Sequence, residues 1–235
     1  MFKQIQKELQ AVGTAEKAAC SQRFFKTGKG QYGEGDIFLG VTVPEQRKIA
    51  KNYVNIPLHD LEILLDSKTH EHRLTAIIIL INKFQKAKEK EKKMFFDFYI
   101  KERKGINNWD LVDISAPNIV GSYLLDKDKN ILYEFAKYGN LWEKRIAIVS
   151  TLHFIRENKF EDTVKISEML LNEEHDLLHK AVGWMLRELG KKDQKREEDF
   201  LKKYLPLMPR TMLRYAIERF PEKKRKFYMQ KTFKA

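Results

Sequence analysis

Three short stretches of the sequence put residues that can do chemistry at helical spacing. In "GINNWDLVDISAP", Trp109 and Asp113 are four residues apart, so a helix sets indole and carboxylate on one face, one turn from each other. "NLWEKRIAI" offers Trp142 and Arg145, and "HKAVGWMLRELGK" offers Lys180, Trp184 and Arg187. All three tryptophans of the chain fall on these stretches. An indole face attracts cations, a carboxylate stabilises positive charge, and basic side chains hold phosphates. Each residue also has a structural reading. A tryptophan at helical spacing packs a core, and Trp142 fits that role best. Asp113 can cap a helix or pair with a lysine, and Arg145 can hold a carboxylate between helices. His175 and His179 have the i, i+4 spacing of metal ligands, but no further carboxylate or histidine pattern supports them, and no metal is expected. His70, His72 and His153 read as solvated or interhelical.

The elements that carry these residues read as helices almost throughout. Period-2 alternation is hard to find, whereas helical apolar spacing recurs. Helices that open on a basic or polar residue followed by an apolar run start at Arg73, Trp109, Arg145, Lys180 and Arg214, with steps of 36, 36, 35 and 34 residues. Such a period, with two helices per unit, predicts an all-α fold, an α-solenoid superhelix of two-helix repeats with a concave basic groove, in one domain over residues 1–235. Inner helices of consecutive repeats are neighbours, so Trp109, Arg145 and Lys180 are expected near one another. Pro117, a turn beyond Asp113, should bend or interrupt its helix. "VTVPEQRK" supplies Thr42 as an N-cap, Pro44 in the first turn and Glu45 to close a capping box. The glycine-rich "KTGKGQYGEGDIFLGV" lacks the spacing of a phosphate-binding loop and reads as a loop between helices.

The net charge is +12. From Lys180 to the C-terminus, 17 Lys and Arg against 7 Asp and Glu give +10, leaving 28 against 26, or +2, for residues 1–179. A basic last quarter, including "PEKKRKFYMQKTFKA", points to a polyanionic partner. No apolar run reaches the roughly 18 residues that span a membrane, and the N-terminus reads as an amphipathic helix without a signal-peptide pattern. The one cysteine, Cys20, excludes an internal disulfide, fits a reducing cytosol and is expected to be buried or partly so.

Together "NNWDLVDISAPNIVG", "LWEKRIAI", "KAVGWMLRE" and the earlier "FLGVTVPEQRK" resemble the signature segments of the AlkD-type DNA glycosylases, bacterial DNA alkylation repair enzymes built from HEAT-like repeats. The resemblance covers roughly Phe38 to Gly190. It implies excision of positively charged alkylated bases, 3-methyladenine and 7-methylguanine, from duplex DNA, by a monomer without metal or small-molecule cofactor, in the bacterial cytoplasm on the nucleoid. It also implies that Asp113 is catalytic and that Trp109 and Trp184 flank the lesion's sugar. Arg145 matches an arginine near the DNA backbone. Arg187, Lys180 and Arg47 are further DNA-binding candidates. Where the family usually has a tyrosine before the first of these segments, "SQRFFKTG" offers Phe24 or Phe25, which loses a hydroxyl.

The chemistry suits these residues. Alkylation at N3 or N7 makes the purine cationic, so it departs neutral without a strong general acid. The sugar then becomes oxocarbenium-like, and an ionised aspartate stabilises it and orients water. The alternative reading is a non-catalytic HEAT-like protein that binds distorted or branched DNA, for which the basic C-terminal quarter alone suffices. A protein-interaction scaffold is a third, with no DNA affinity at moderate salt.

Overall fold

The structure, a computed structural model, describes residues 1–231; the last basic residue of the C-terminal run, Lys234, lies outside them. It is all-helical, and the described residues form no strand beyond one isolated bridge between Ile37 and Thr69. The helices are α1 (Phe2–Val12), α2 (Ala15–Phe24), α3 (Val43–Lys51), α4 (Leu58–Leu65), α5 (His70–Lys86), α6 (Glu89–Lys101), α7 (Trp109–Ser115), α8 (Ser122–Leu124), α9 (Asn130–Tyr138), α10 (Leu141–Arg156), α11 (Glu161–Met169), α12 (Asp176–Lys192), α13 (Gln194–Tyr204), α14 (Arg210–Ala216) and α15 (Glu222–Lys231). Packing divides the chain into two compact units, Met1–Ser115 and the residues from Ala116 onward. No helix of the described residues is long and apolar enough to cross a membrane.

In the first unit α5 is the central helix, packed against α3, α4, α6 and α7. Every residue from His70 to Leu80 is buried, the pattern of a helix enclosed on all sides. Its first turns are polar, and each buried polar side chain has a partner, as burial demands. Glu71 accepts the amides of Leu39, Gly40 and Val41 at 3.0, 2.8 and 3.3 Å. His72 Nδ1 meets Ser67 Oγ at 2.8 Å, and Thr75 donates to Gln46 Oε1 at 3.2 Å. Gly40 has φ +78°, and a Cβ there would stand 2.3 Å from the Thr14 carbonyl oxygen, so neither conformation nor space admits a side chain.

In the second unit α10 packs against α9, α11 and α12, and α12 against α13 and α14. Helix pairs succeeding one another at this spacing are consistent with a helical-repeat solenoid. All five expected repeat helices are present, as α5, α7, α10, α12 and α14, but only α7 begins at its expected residue; the other four begin three or four residues earlier. Caps set their ends. Thr42 donates its amide and hydroxyl to Glu45 at 2.9 and 2.6 Å. Asn140 accepts the amides of Trp142 and Glu143, and Glu143 accepts the Asn140 amide in return. Past Ser115 the chain changes to a π-helical turn, Ala116–Gly121. Pro117 has no N–H to return to Asp113, so the α-helical ladder fails there.

Candidate functional site

The first unit gathers an aromatic cluster around the start of α7. Phe25, just past the end of α2, stacks on Trp109 with ring centroids 5.4 Å apart and planes 23° from parallel. Phe24 meets the edges of both, at 5.0 Å from Phe25 and 5.9 Å from Trp109. Phe25 also lies against Phe38 at 5.1 Å and His70 at 4.9 Å, and Phe38 stacks on His70 at 4.8 Å. Phe24 is 64% exposed, Phe25 and Trp109 are half-buried, and Phe38 is buried. The cluster is thus a ledge of rings with its outer member in solvent and its base in the core.

Below the rings lies a buried charge network. His70 Nε2 is 2.8 Å from Asp110 Oδ2, and Nδ1 is 3.5 Å from Asp36 Oδ2. Arg73, one turn further along α5, donates to Asp36 at 2.8 Å and to the Ser67 carbonyl at 2.7 Å. Burial works against a charged imidazole, but the hydrogen bond to Asp110 and the nearby Asp36 carboxylate outweigh it and hold the His70 pKa above its ordinary value. Burial likewise opposes ionised Asp36, and the contacts from His70 and Arg73 prevail and lower its pKa. Asp110 also accepts the Leu111 amide at 2.9 Å, and Asn108 accepts that of Trp109 at 2.8 Å, so the first turn of α7 is anchored on both sides.

Asp113 sits half-buried on α7, one turn beyond Trp109. Beside it in the packing, fully buried Tyr99 pairs its hydroxyl with Ser115 Oγ at 2.9 Å. Burial pushes the Tyr99 pKa up, and the charge of Asp113 adds to the rise. Arg47 lies exposed on α3.

The remaining sequence candidates belong to the second unit. Arg145, 4% exposed on α10, donates to the Leu177 carbonyl at 2.5 Å, a backbone contact to the first turn of α12. Lys180 pairs with Asp176 at 2.7 Å. Arg187 is held by Glu218 and lies 3.5 Å from Glu188. Trp184 is half-buried and lines a cleft of about 300 Å³ with Leu152, Ile155, Arg156, Glu188, Lys191 and Lys192, in which Lys191 pairs with Glu188 at 2.6 Å. Thus Phe24, Phe25 and Trp109 come together in one unit, and Arg145, Lys180, Trp184 and Arg187 lie on α10 and α12, which pack against each other, in the other.

Two expectations are corrected. Cys20 is exposed, because α2 buries none of its side chains. Trp142 is half-buried in the first turn of α10, whose core is filled instead by Ile146, Ile148 and Val149. For His70 and His72, burial rules out the solvated alternative, and His70 takes the interhelical one by reaching Asp110 on α7. His175 and His179 have structural partners: His175 caps α12 by accepting the Leu177 amide, and His179 Nε2 meets the Glu173 carbonyl at 2.5 Å. No group of three or more His, Cys, Asp or Glu able to hold a metal occurs among the described residues. Sequence reasoning missed Asp36, Phe38, Arg73 and Asp110. The polar run "HEHR" at the head of an apolar helix was the available signal, since a charged cluster there must be satisfied by something.

Comparison with known proteins bears on the fold and the family. A solved structure described as a predicted DNA alkylation repair enzyme from Enterococcus faecalis is similar in fold, with a TM-score of 0.70 at 20% identity, covering 89% of this chain and 97% of that one. No curated protein matches the chain. The family model for DNA alkylation repair enzymes matches residues 5–220, nearly the whole sequence. This chain belongs to the DNA alkylation repair enzyme family.

Proposed function

We propose that the protein is a DNA N-glycosylase that hydrolyses the glycosidic bond of cationic alkylated purines, such as 3-methyladenine and 7-methylguanine, in duplex DNA. The supporting observation is α7, which presents half-buried Trp109 and Asp113 one turn apart, backed by the Phe24–Phe25 ledge. The C1′–N bond breaks with its electron pair leaving on the base, which becomes neutral. Asp113 stabilises the cationic sugar and accepts a proton from the water that attacks C1′. Trp109 offers its π face to the same charge. For Trp184, on the second unit, a sugar-flanking role rests on the family resemblance alone. Lys180, Arg156, Lys191 and Lys192 would meet phosphates, and Arg145 would serve by fixing the start of α12.

Base release from a duplex carrying 7-methylguanine tests this. Asp113→Asn should slow release by about a hundredfold or more, the scale of losing one transition-state stabiliser, with duplex affinity preserved. Undiminished release by Asp113→Asn would sink the mechanism, and salt-dependent binding without release by the wild type would favour a non-catalytic DNA-binding protein.

A further inference from the structure

The buried network under the aromatic ledge is an unusual investment. Four charged side chains, Asp36, His70, Arg73 and Asp110, meet in the first unit, and His70 is 2% exposed. A core needs no such group, since apolar residues of similar volume would serve as well or better. Its position points to what it does. Asp110 follows Trp109 directly, and its other oxygen holds the Leu111 amide, so the His70 contact fixes the first turn of α7. The His70 ring also lies against Phe25, which stacks on Trp109. His70 therefore touches both supports of the indole. Its backbone amide donates to the Ile37 carbonyl at 2.9 Å, tying in the segment that carries Asp36 and Phe38.

Both ring nitrogens face carboxylates, which accept hydrogen bonds and cannot donate them when ionised. Nε2 hydrogen-bonds Asp110, whereas Nδ1 makes no hydrogen bond and lies at ion-pair distance, 3.5 Å, from Asp36 Oδ2; a proton on each nitrogen, that is, imidazolium, suits both contacts. With Arg73 the network then holds two positive and two negative charges. The charged groups facing His70 are Asp110 from α7, Asp36 from the preceding segment and Arg73 from its own helix; the groups against its faces, Phe25 and Phe38, are uncharged. Glu71 is turned to the amides of residues 39–41, and His72 to Ser67.

We propose that His70 is a positioning residue of the site: as an imidazolium clamped between Asp110 and Asp36 it sets the first turn of α7, and so aims Trp109 and Asp113. The inference rests on the glycosylase reading for its catalytic consequence, but not for its structural one. With the His70 pKa raised, the clamp stays closed to higher pH than an ordinary imidazole would allow and opens as pH rises through the folded-state value. Base release should then fall on the alkaline side while DNA affinity holds.

The test has two readouts. The first is single-turnover release from 7-methylguanine duplex between about pH 6 and 8.5, for wild type, His70→Gln and Asp110→Asn. Both variants should lose about ten- to hundredfold in rate, the range expected when a reacting group is misaimed by up to an ångström, and should lose the alkaline limb. The second is Trp109 fluorescence in a Trp142→Phe/Trp184→Phe background, which needs no activity. Its emission should titrate with the same midpoint and stop titrating in His70→Gln. Persistence of the titration in His70→Gln, or wild-type release by folded Asp110→Asn, would overturn the proposal. Absence of wild-type release with the fluorescence titration intact would defeat the glycosylase reading and leave the clamp standing.

Discussion

Glu197 allows a stability prediction that can be worked from its surroundings. It is 2% exposed on α13, and its Oε1 has no hydrogen-bond partner. Its other oxygen lies so close to Gly190 of α12 that a Cβ there would be 1.7 Å away. Burial and the neighbouring Glu198 push its pKa up to about 8, against the weaker pull of Lys224 and Arg187. In the unfolded chain the carboxyl titrates near its ordinary value of 4.5. Between these two values the folded state holds a proton that the unfolded state has released, so stability falls as pH rises through that window and is flat outside it. The rise from 4.5 to about 8 at ~1.4 kcal/mol per unit bounds the loss at roughly 5 kcal/mol. Relaxation and water entry should reduce it to about 2–3 kcal/mol. Glu197→Gln imitates the protonated acid and cannot ionise. It should match wild type at about pH 5 and exceed its unfolding free energy by about 2–3 kcal/mol at about pH 8.5. Urea unfolding at both pH values reads the difference, and comparison of the variants cancels groups titrating elsewhere, His70 among them. A stability gap that stays constant across the window would refute the reasoning.

Two substitutions in the first unit test its irregular segment. Glu71→Gln keeps one acceptor but turns an amide N–H₂ toward backbone donors, and it should lower stability by about 2–4 kcal/mol in thermal or urea unfolding. Gly40→Ala combines a left-handed backbone with an overlap against the Thr14 carbonyl and Ala18 amide, and should lower the unfolding free energy by about 3 kcal/mol or more. A wild-type midpoint for either would mean that the segment rearranges freely.

The repeat was readable because a solenoid repeats its burial pattern: Arg73, Arg145, Lys180 and Arg214 each lie three or four residues inside a repeat helix, and Trp109 opens its own. Capping at Thr42–Glu45 and the break at Pro117 were equally local, and each followed from backbone chemistry within four residues. The charge network was not readable, because its members lie at 36, 70, 73 and 110 with no common spacing. It exists because the first turns of two adjacent inner helices face one irregular segment. Exposure was hidden for a similar reason: nothing in "AEKAACSQRF" tells that α2 contributes no buried residue. Arg145 shows the limit of reading by residue type, since no sequence pattern announced the contact of its guanidinium with the Leu177 carbonyl.

Residues 38–41 have no regular structure, yet Glu71 gathers three of their amides, Phe38 is sunk among rings, and Gly40 abuts the first turn of α2. Loops ordinarily absorb inserted residues and proteolytic nicks. This one should absorb neither. Its amides should exchange with solvent as slowly as those at the middle of α5, and added length between Ile37 and Thr42 would disrupt the fold from within rather than bulge harmlessly into water.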